Sequence, residues 1–156
     1  MERDFLKRTT FVVNDAKKAA QFYIDVFGLE VWYDNMLQAD HRFPPSGAPD
    51  KAEVHLILLA SPEGKLGFMS YQDVPFDTSV PSNRSKVKMG EPILVFGTED
   101  VDQLTERAIE AGAQVVSGPA NWRVPTPDGQ STTHLRMVAF FDPEGIYMEV
   151  SQRLKT

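Results

Sequence analysis

The feature that most restricts the fold is a pair of helix signals that recurs in the two halves of the chain. Asp15 and Gly28 are placed to begin and end one helix, and Asp100 and Gly112 are placed to begin and end another. Apolar residues recur at helical spacing within both segments. They are Ala19, Phe22, Tyr23, Val26 and Phe27 in the first, and Val101, Leu104, Ala108 and Ala111 in the second.

Extended segments surround both helices in the same order. The predicted strands are 6–13, 29–33, 54–60 and 66–71 in the first half, and 93–96, 113–117, 132–141 and 146–152 in the second. Each half therefore has the order β-α-β-β-β, which predicts an α+β fold built from a tandem duplication. We expect a single domain over 1–156, with modules at 6–72 and 92–154 and a linker loop at 73–91.

Three segments rich in Pro, Gly, Ser and Asp interrupt this order, at 34–53, 73–91 and 118–131. Loops of this length often close over a site. They are equally compatible with surface insertions that the fold tolerates. Trp122 lies in the last of them, between Asn121 and Arg123, and is a candidate lid residue.

A hairpin near the end of the chain gives the best indication of function. Asp142-Pro143-Glu144-Gly145 has the composition of a tight turn between two apolar strands. By alternation, Ile146, Met148 and Val150 share one face of the following strand, and Tyr147, Glu149 and Ser151 share the other. Glu149 is therefore a candidate site residue that faces a cavity, the alternative being a solvent-exposed carboxylate.

Composition excludes several classes of function. Sixteen basic and 22 acidic residues leave a net charge of −6, so nucleic acid is not an expected partner. We expect no membrane partner, because no apolar run is long enough to span a bilayer, and a cytoplasmic location is the default. Cysteine is absent, which removes disulfides, thiolate nucleophiles and sulfur ligands for zinc. Imidazole comes only from His41, His55 and His134.

Several segments together resemble the vicinal oxygen chelate superfamily, which includes glyoxalase I, bleomycin resistance proteins and extradiol dioxygenases. They are Thr10 to Asp15, Gln21-Phe22-Tyr23, Phe27 to Val31, and Phe140 to Gly145 followed by Glu149. The resemblance covers the chain from about Leu6 to Leu154. It implies paired β-α-β-β-β modules that form a U-shaped mixed sheet around a cavity, and commonly a homodimer.

Metal-dependent members of that superfamily hold a divalent ion with His, Gln or Glu on the first strand and Glu on the last strand of each module. The first of these positions falls here on Arg8, which stays protonated and does not ligate metals. The corresponding position of the second module falls on Ile93 or Pro92, and the last-strand position of the first module on Met69, Ser70 or Tyr71. Only Glu149 matches, so we predict no cofactor, the alternative being one divalent ion (Zn, Ni, Mn or Fe).

In place of the metal, the resemblance implies that Arg8 and Glu149 lie close enough to form an ion pair. Such a pair would satisfy a carboxylate that is costly to bury alone. Its role is either structural or functional. In the functional version Arg8 binds an anionic oxygen of a small ligand, and Glu149 either orients the ligand or transfers a proton. A metal-independent enzyme would use Arg8, Glu149 and His134 as an acid-base set.

Other residues are candidates for the cavity wall. Alternation in the seventh strand groups His134 and Arg136 with Val138 and Phe140, and this group would reach the cavity if its face points inward. Aromatic side chains with a few polar groups suit a planar ligand. The further wall candidates are Phe68, Tyr71, Phe96, Trp122 and Tyr147, with core packing as the alternative for Phe68 and Phe96.

These observations predict a protein that binds a small organic molecule in an aromatic-lined cavity, without the usual metal. Two alternatives stay open. One is a metal-dependent lyase or dioxygenase of the glyoxalase or extradiol type, and the other is a metal-independent enzyme that uses Arg8 and Glu149 for acid-base chemistry. A small molecule and a second copy of the chain are the expected partners.

Overall fold

Two compact units make up the chain, Met1–Ser79 and Val80–Thr156, which we call module 1 and module 2. The computed structural model describes residues 4–40, 42, 44, 47–72, 74 and 84–155. His41, most of the predicted linker and part of the predicted loop at 34–53 lie outside these residues. Over the described ranges, no helix has the length and apolar character needed to cross a membrane.

Module 1 is a four-stranded mixed sheet with one helix. The sheet order is β1-β4-β3-β2, in which β1 and β4 are parallel and the other pairs are antiparallel. The elements are β1 (Thr9–Val12), α1 (Ala16–Phe27), β2 (Glu30–Gln38), β3 (Glu53–Ser61) and β4 (Gly64–Tyr71).

Module 2 repeats this topology. Its order is β5-β8-β7-β6, in which β5 and β8 are parallel and the other pairs are antiparallel. The elements are β5 (Leu94–Gly97), α2 (Val101–Glu110), β6 (Gln114–Pro125), β7 (Thr132–Phe141) and β8 (Tyr147–Arg153). The prediction of an α+β fold with two tandem β-α-β-β-β modules is confirmed.

The predicted N-terminal caps are present in both modules, whereas the C-cap of α2 is Ala111 and not the predicted Gly112. Asp15 Oδ1 accepts hydrogen bonds from the backbone N–H groups of Lys17 and Lys18, each at 3.0 Å, and Asp100 Oδ1 accepts one from Gln103 at 3.0 Å. Gly28 ends α1 in the left-handed conformation, with φ of 67°. Local sequence therefore sets where both helices begin.

One face of each sheet packs against its helix and forms the core. In module 1, Phe68 is fully buried against Tyr23 of α1, with ring centroids 4.8 Å apart. In module 2, buried side chains of α2 lie over buried side chains of β7 and β8. They are Val101, Leu104 and Ala108 on the helix, and Val138, Phe140, Met148 and Val150 on the strands.

The turn between β7 and β8 forms as predicted. Gly145 donates its backbone N–H to the carbonyl of Asp142 at 2.9 Å and has a φ of 81°. The Asp142 side chain is 4% exposed and accepts hydrogen bonds from the N–H groups of Glu144 and Ile146, at 2.9 and 2.8 Å. The turn thereby fixes the register, in which Glu149 lies opposite Ala139.

Two of the predicted loops are shorter than expected because strands extend into them. β2 continues to Gln38, five residues beyond the predicted end at Tyr33. β6 continues to Pro125, so the prediction of an irregular loop at 118–131 is wrong for 118–125. Register shifts around Ser117 accommodate Gly118-Pro119, and regular pairing with β7 resumes at Ala120.

The described end of the predicted linker, 84–91, belongs to module 2 and packs against the turn between β7 and β8. Arg84 donates to the carbonyl of Gly145 at 3.0 Å, and its guanidinium lies 4.7 Å from the ring centroid of Phe141. Arg84 also pairs with Glu91. The guanidinium lowers the pKa of the Glu91 carboxyl, so this segment is held by a charge-assisted contact.

Candidate functional site

A groove lies on the face of the module 2 sheet that carries Glu149. We call it the module 2 groove, and its volume is about 300 Å³. Its walls come from β6, β7 and β8. The lining residues are Ser117, Ala120, Asn121, Trp122, Met137, Val138, Ala139, Tyr147 and Glu149.

Glu149 and Tyr147 form the polar part of the groove. The alternation of β8 buries Met148 and Val150 and leaves Tyr147 and Glu149 half-buried on the opposite face, as predicted. The Tyr147 hydroxyl donates a hydrogen bond to Glu149 Oε1 at 3.1 Å. Burial raises the pKa of Tyr147, and the charge of Glu149 and this hydrogen bond raise it further. Tyr147 is therefore a neutral donor beside a carboxylate at physiological pH.

Trp122 supplies the largest aromatic surface of the groove. It lies in the second half of β6, opposite Leu135 of β7, and is 60% exposed. The prediction that Trp122 belongs to a lid loop is therefore wrong, because Trp122 belongs to a paired strand that forms a wall of the groove. The fold holds it in position by the same backbone pairing that builds the sheet.

The face of β7 that carries Arg136 and Phe140 lies toward α2 and not toward the groove. Arg136 donates to both carboxylate oxygens of Asp102, in the first turn of α2, at 2.8 and 2.9 Å. Phe140 is fully buried in the core. His134 shares this face by alternation and does not line the groove. Phe96 lies opposite the buried Val150, on the same side of the sheet.

The two wall candidates of module 1 are both buried, Phe68 in the core against α1 and Tyr71 in a separate cluster. Phe68 packs against α1, which confirms the alternative of core packing for this residue. Tyr71 is 7% exposed and belongs to a buried apolar cluster in which residues from the connection between β2 and β3 pack against β3 and β4. The other members of this cluster are Ala39, Ala48, Ala52, Val54, Met69 and Val74.

Arg8 precedes β1 directly and is half-buried. Its Nε donates to Thr10 Oγ1 at 3.1 Å within module 1. Glu149, in module 2, has the contact with Tyr147 described above. The Arg8 to Glu149 ion pair stays a prediction that rests on the family resemblance.

Met137 and Ala139 are groove residues that sequence reasoning missed. A signal for them existed, because the turn at Asp142 to Gly145 places Ala139 opposite Glu149. Odd-numbered residues of β7 therefore share the face of Glu149, and even-numbered residues share the face of α2. The sequence pattern of β7 alone, which is apolar on both faces near its end, does not distinguish the two faces.

The residues at the expected ligand positions do not fit a divalent metal ion. Arg8 is a cation, Ile93 is apolar, and Ser70 Oγ is engaged by the backbone N–H of Ala16 at 3.1 Å. Among the residues that the structure describes, no three His, Asp or Glu side chains are grouped as metal ligands would be. Glu149 remains as a single carboxylate donor.

Comparisons with known proteins agree with this fold. Residues 6–150 match the model of the Glyoxalase/Bleomycin resistance protein/Dioxygenase superfamily, and the chain belongs to that superfamily. No curated protein matches the chain.

Solved structures extend the likeness over nearly the whole chain. A glyoxalase family protein from Bacillus cereus is 18% identical, with a TM-score of 0.71 and 99% of each chain covered. The fosfomycin resistance protein FosX from Listeria monocytogenes, solved with Mn(II) and sulfate, is 17% identical, with a TM-score of 0.53 and 97% and 93% of the two chains covered. At these identities the similarity concerns the fold alone.

Proposed function

We propose that the protein binds a small organic molecule in the module 2 groove. The observation that carries this proposal is the combination of an exposed aromatic surface, Trp122, with the paired polar groups of Tyr147 and Glu149 in one concave site. A volume of about 300 Å³ is at the lower end of the range for small-molecule sites. Apolar walls would hold the body of the ligand, and Glu149 would orient it.

We also propose that binding proceeds without the metal of the family's metal-dependent members. The donor set supports this, because Glu149 is the only carboxylate among the described residues that line the groove, and Tyr147 already donates a hydrogen bond to one of its oxygens. A hard divalent ion takes several oxygen or nitrogen ligands. The homodimer implied by the resemblance belongs to the same proposal and is measurable by light scattering.

Acid-base chemistry is the second candidate function. It is favoured by the hydrogen bond from Tyr147 to Glu149, which puts a neutral hydroxyl beside a carboxylate in a ligand-sized site. Turnover of a bound compound that disappears in Glu149→Gln would favour an enzyme. Binding without any product would favour a binding protein.

Replacing Trp122 by alanine should weaken binding of compounds found by a thermal-shift screen by about tenfold, because the aromatic contact is lost. Trp32→Ala is the matched control. Trp32 is the other tryptophan of the chain, it is 58% exposed, and it lies in β2 of module 1. Affinities measured by calorimetry should be unchanged in the control. Equal losses in the two variants, or none in Trp122→Ala, would contradict the proposed site.

A further inference from the structure

Among the described residues of module 2, 84–155, the carboxylate of Glu149 has no positively charged partner. The cations of two ion pairs in this module have other partners, since Arg84 pairs with Glu91 and Arg136 pairs with Asp102. The contact of Glu149 is with the neutral hydroxyl of Tyr147. The groove therefore contains a carboxylate with which no described cation of the module pairs.

The geometry of this contact leaves one carboxylate oxygen for a ligand. Tyr147 donates to Oε1, so Oε2 is available to accept a hydrogen bond from a molecule in the groove. Tyr147 cannot supply a positive charge, and its raised pKa keeps it protonated. A ligand group next to Glu149 must therefore be a donor, and a positively charged donor gains most from the carboxylate.

The aromatic rings of the groove favour the same kind of group. The faces of tryptophan and tyrosine attract cations through the negative potential of the ring. Trp122 and Tyr147 both line the groove that contains Glu149. The net charge of −6 adds a long-range attraction for cations and repels anions.

Resting on the proposed function, we propose that the module 2 groove binds an organic cation, a protonated amine attached to an apolar or planar body. The amine donates to Glu149, and the body packs on Trp122 and Met137. This preference is the opposite of the one implied by the Arg8 hypothesis, in which the site binds an anionic oxygen. The charge of the ligand therefore distinguishes the two.

Three probes of similar shape and different charge test this inference: naphthylmethylamine, naphthylmethanol and naphthoate. Methyl-labelled methionine gives a local readout, because Met137 lines the groove whereas Met89 is fully exposed outside it. Dissociation constants would be taken from the Met137 methyl signal of the full chain at neutral pH. We expect the amine to bind about tenfold more tightly than the alcohol, and naphthoate most weakly.

Glu149→Gln should remove the preference for the amine while the alcohol still binds. Glu106→Gln is the matched control, because it removes the same charge from an exposed position on α2 and should keep the preference. Equal affinities for amine and alcohol, or tightest binding of naphthoate, would overturn the charge preference and leave small-molecule binding intact. A Met137 signal that responds to none of the probes at millimolar concentration would overturn both proposals.

Discussion

Gly118→Ala should lower the free energy of unfolding by about 3 kcal/mol or more. Gly118 has a φ of 83°, a conformation that side-chain-bearing residues rarely adopt. A Cβ atom at this position would lie 2.3 Å from the carbonyl oxygen of Met137 and 3.1 Å from the Cα of Val138. These are backbone atoms of the paired strand β7, so the sheet itself would have to shift.

Gly129→Ala separates the steric clash from the cost of the backbone conformation. Gly129 also has a positive φ, 68°, but a Cβ there would meet no atom within 4 Å. We expect Gly129→Ala to lower the free energy of unfolding by about 1 kcal/mol. Chemical denaturation of both variants measures this difference. If Gly118→Ala and Gly129→Ala lower the free energy of unfolding equally, the result would contradict the close approach of β6 and β7 at Gly118. Since Ser117 and Ala120 line the groove, Gly118→Ala should also weaken ligand binding.

Asp142→Ala should destabilise the protein by about 3 kcal/mol. The side chain is buried and accepts two backbone hydrogen bonds, from Glu144 and Ile146. Alanine provides no acceptor, so both N–H groups would lose their partner in a place that water reaches poorly. Because this turn fixes the register of β7 and β8, its loss should also weaken the pairing of these strands around Glu149.

Asp142→Asn is the control for this prediction. The amide keeps a carbonyl oxygen that can take the place of Oδ1, so most of the stability should be retained. Thermal and chemical denaturation of the three proteins would measure the difference. If the asparagine variant loses as much stability as the alanine variant, the two accepted hydrogen bonds do not account for the role of Asp142.

Local signals in the sequence were sufficient for the helices and for the turn. Asp15, Asp100 and Gly28 act on groups within a few residues of themselves, and so does the turn at Asp142. Such contacts depend little on the rest of the fold. These local signals were sufficient to predict the two modules, the face of β8 that carries Glu149, and the family resemblance.

The extent of β6 and the faces of β7 depend on pairing between distant residues. Gly118 and Pro119 are typical of a loop, yet the strand continues past them because Ala120 to Pro125 pair with β7. Alternation in β7 makes Arg136 a cavity candidate only if its face points inward, but Arg136 pairs with Asp102 of α2 on the other side of the sheet. Tyr71 is likewise buried by residues that are distant in sequence. The hydrophobic periodicity of the sequence alone does not predict these contacts.

The metal content of the protein tests most directly whether Glu149 contributes to the module 2 groove without a metal ion. Tag-free protein, purified without chelators, would be loaded with Zn, Ni, Mn and Fe(II) in turn, then desalted and measured by elemental analysis beside Glu149→Ala. We expect contents far below one ion per chain, and the same in both proteins, because a single carboxylate does not hold a divalent ion tightly. One tightly held ion per chain that is lost in Glu149→Ala would contradict the metal-free site.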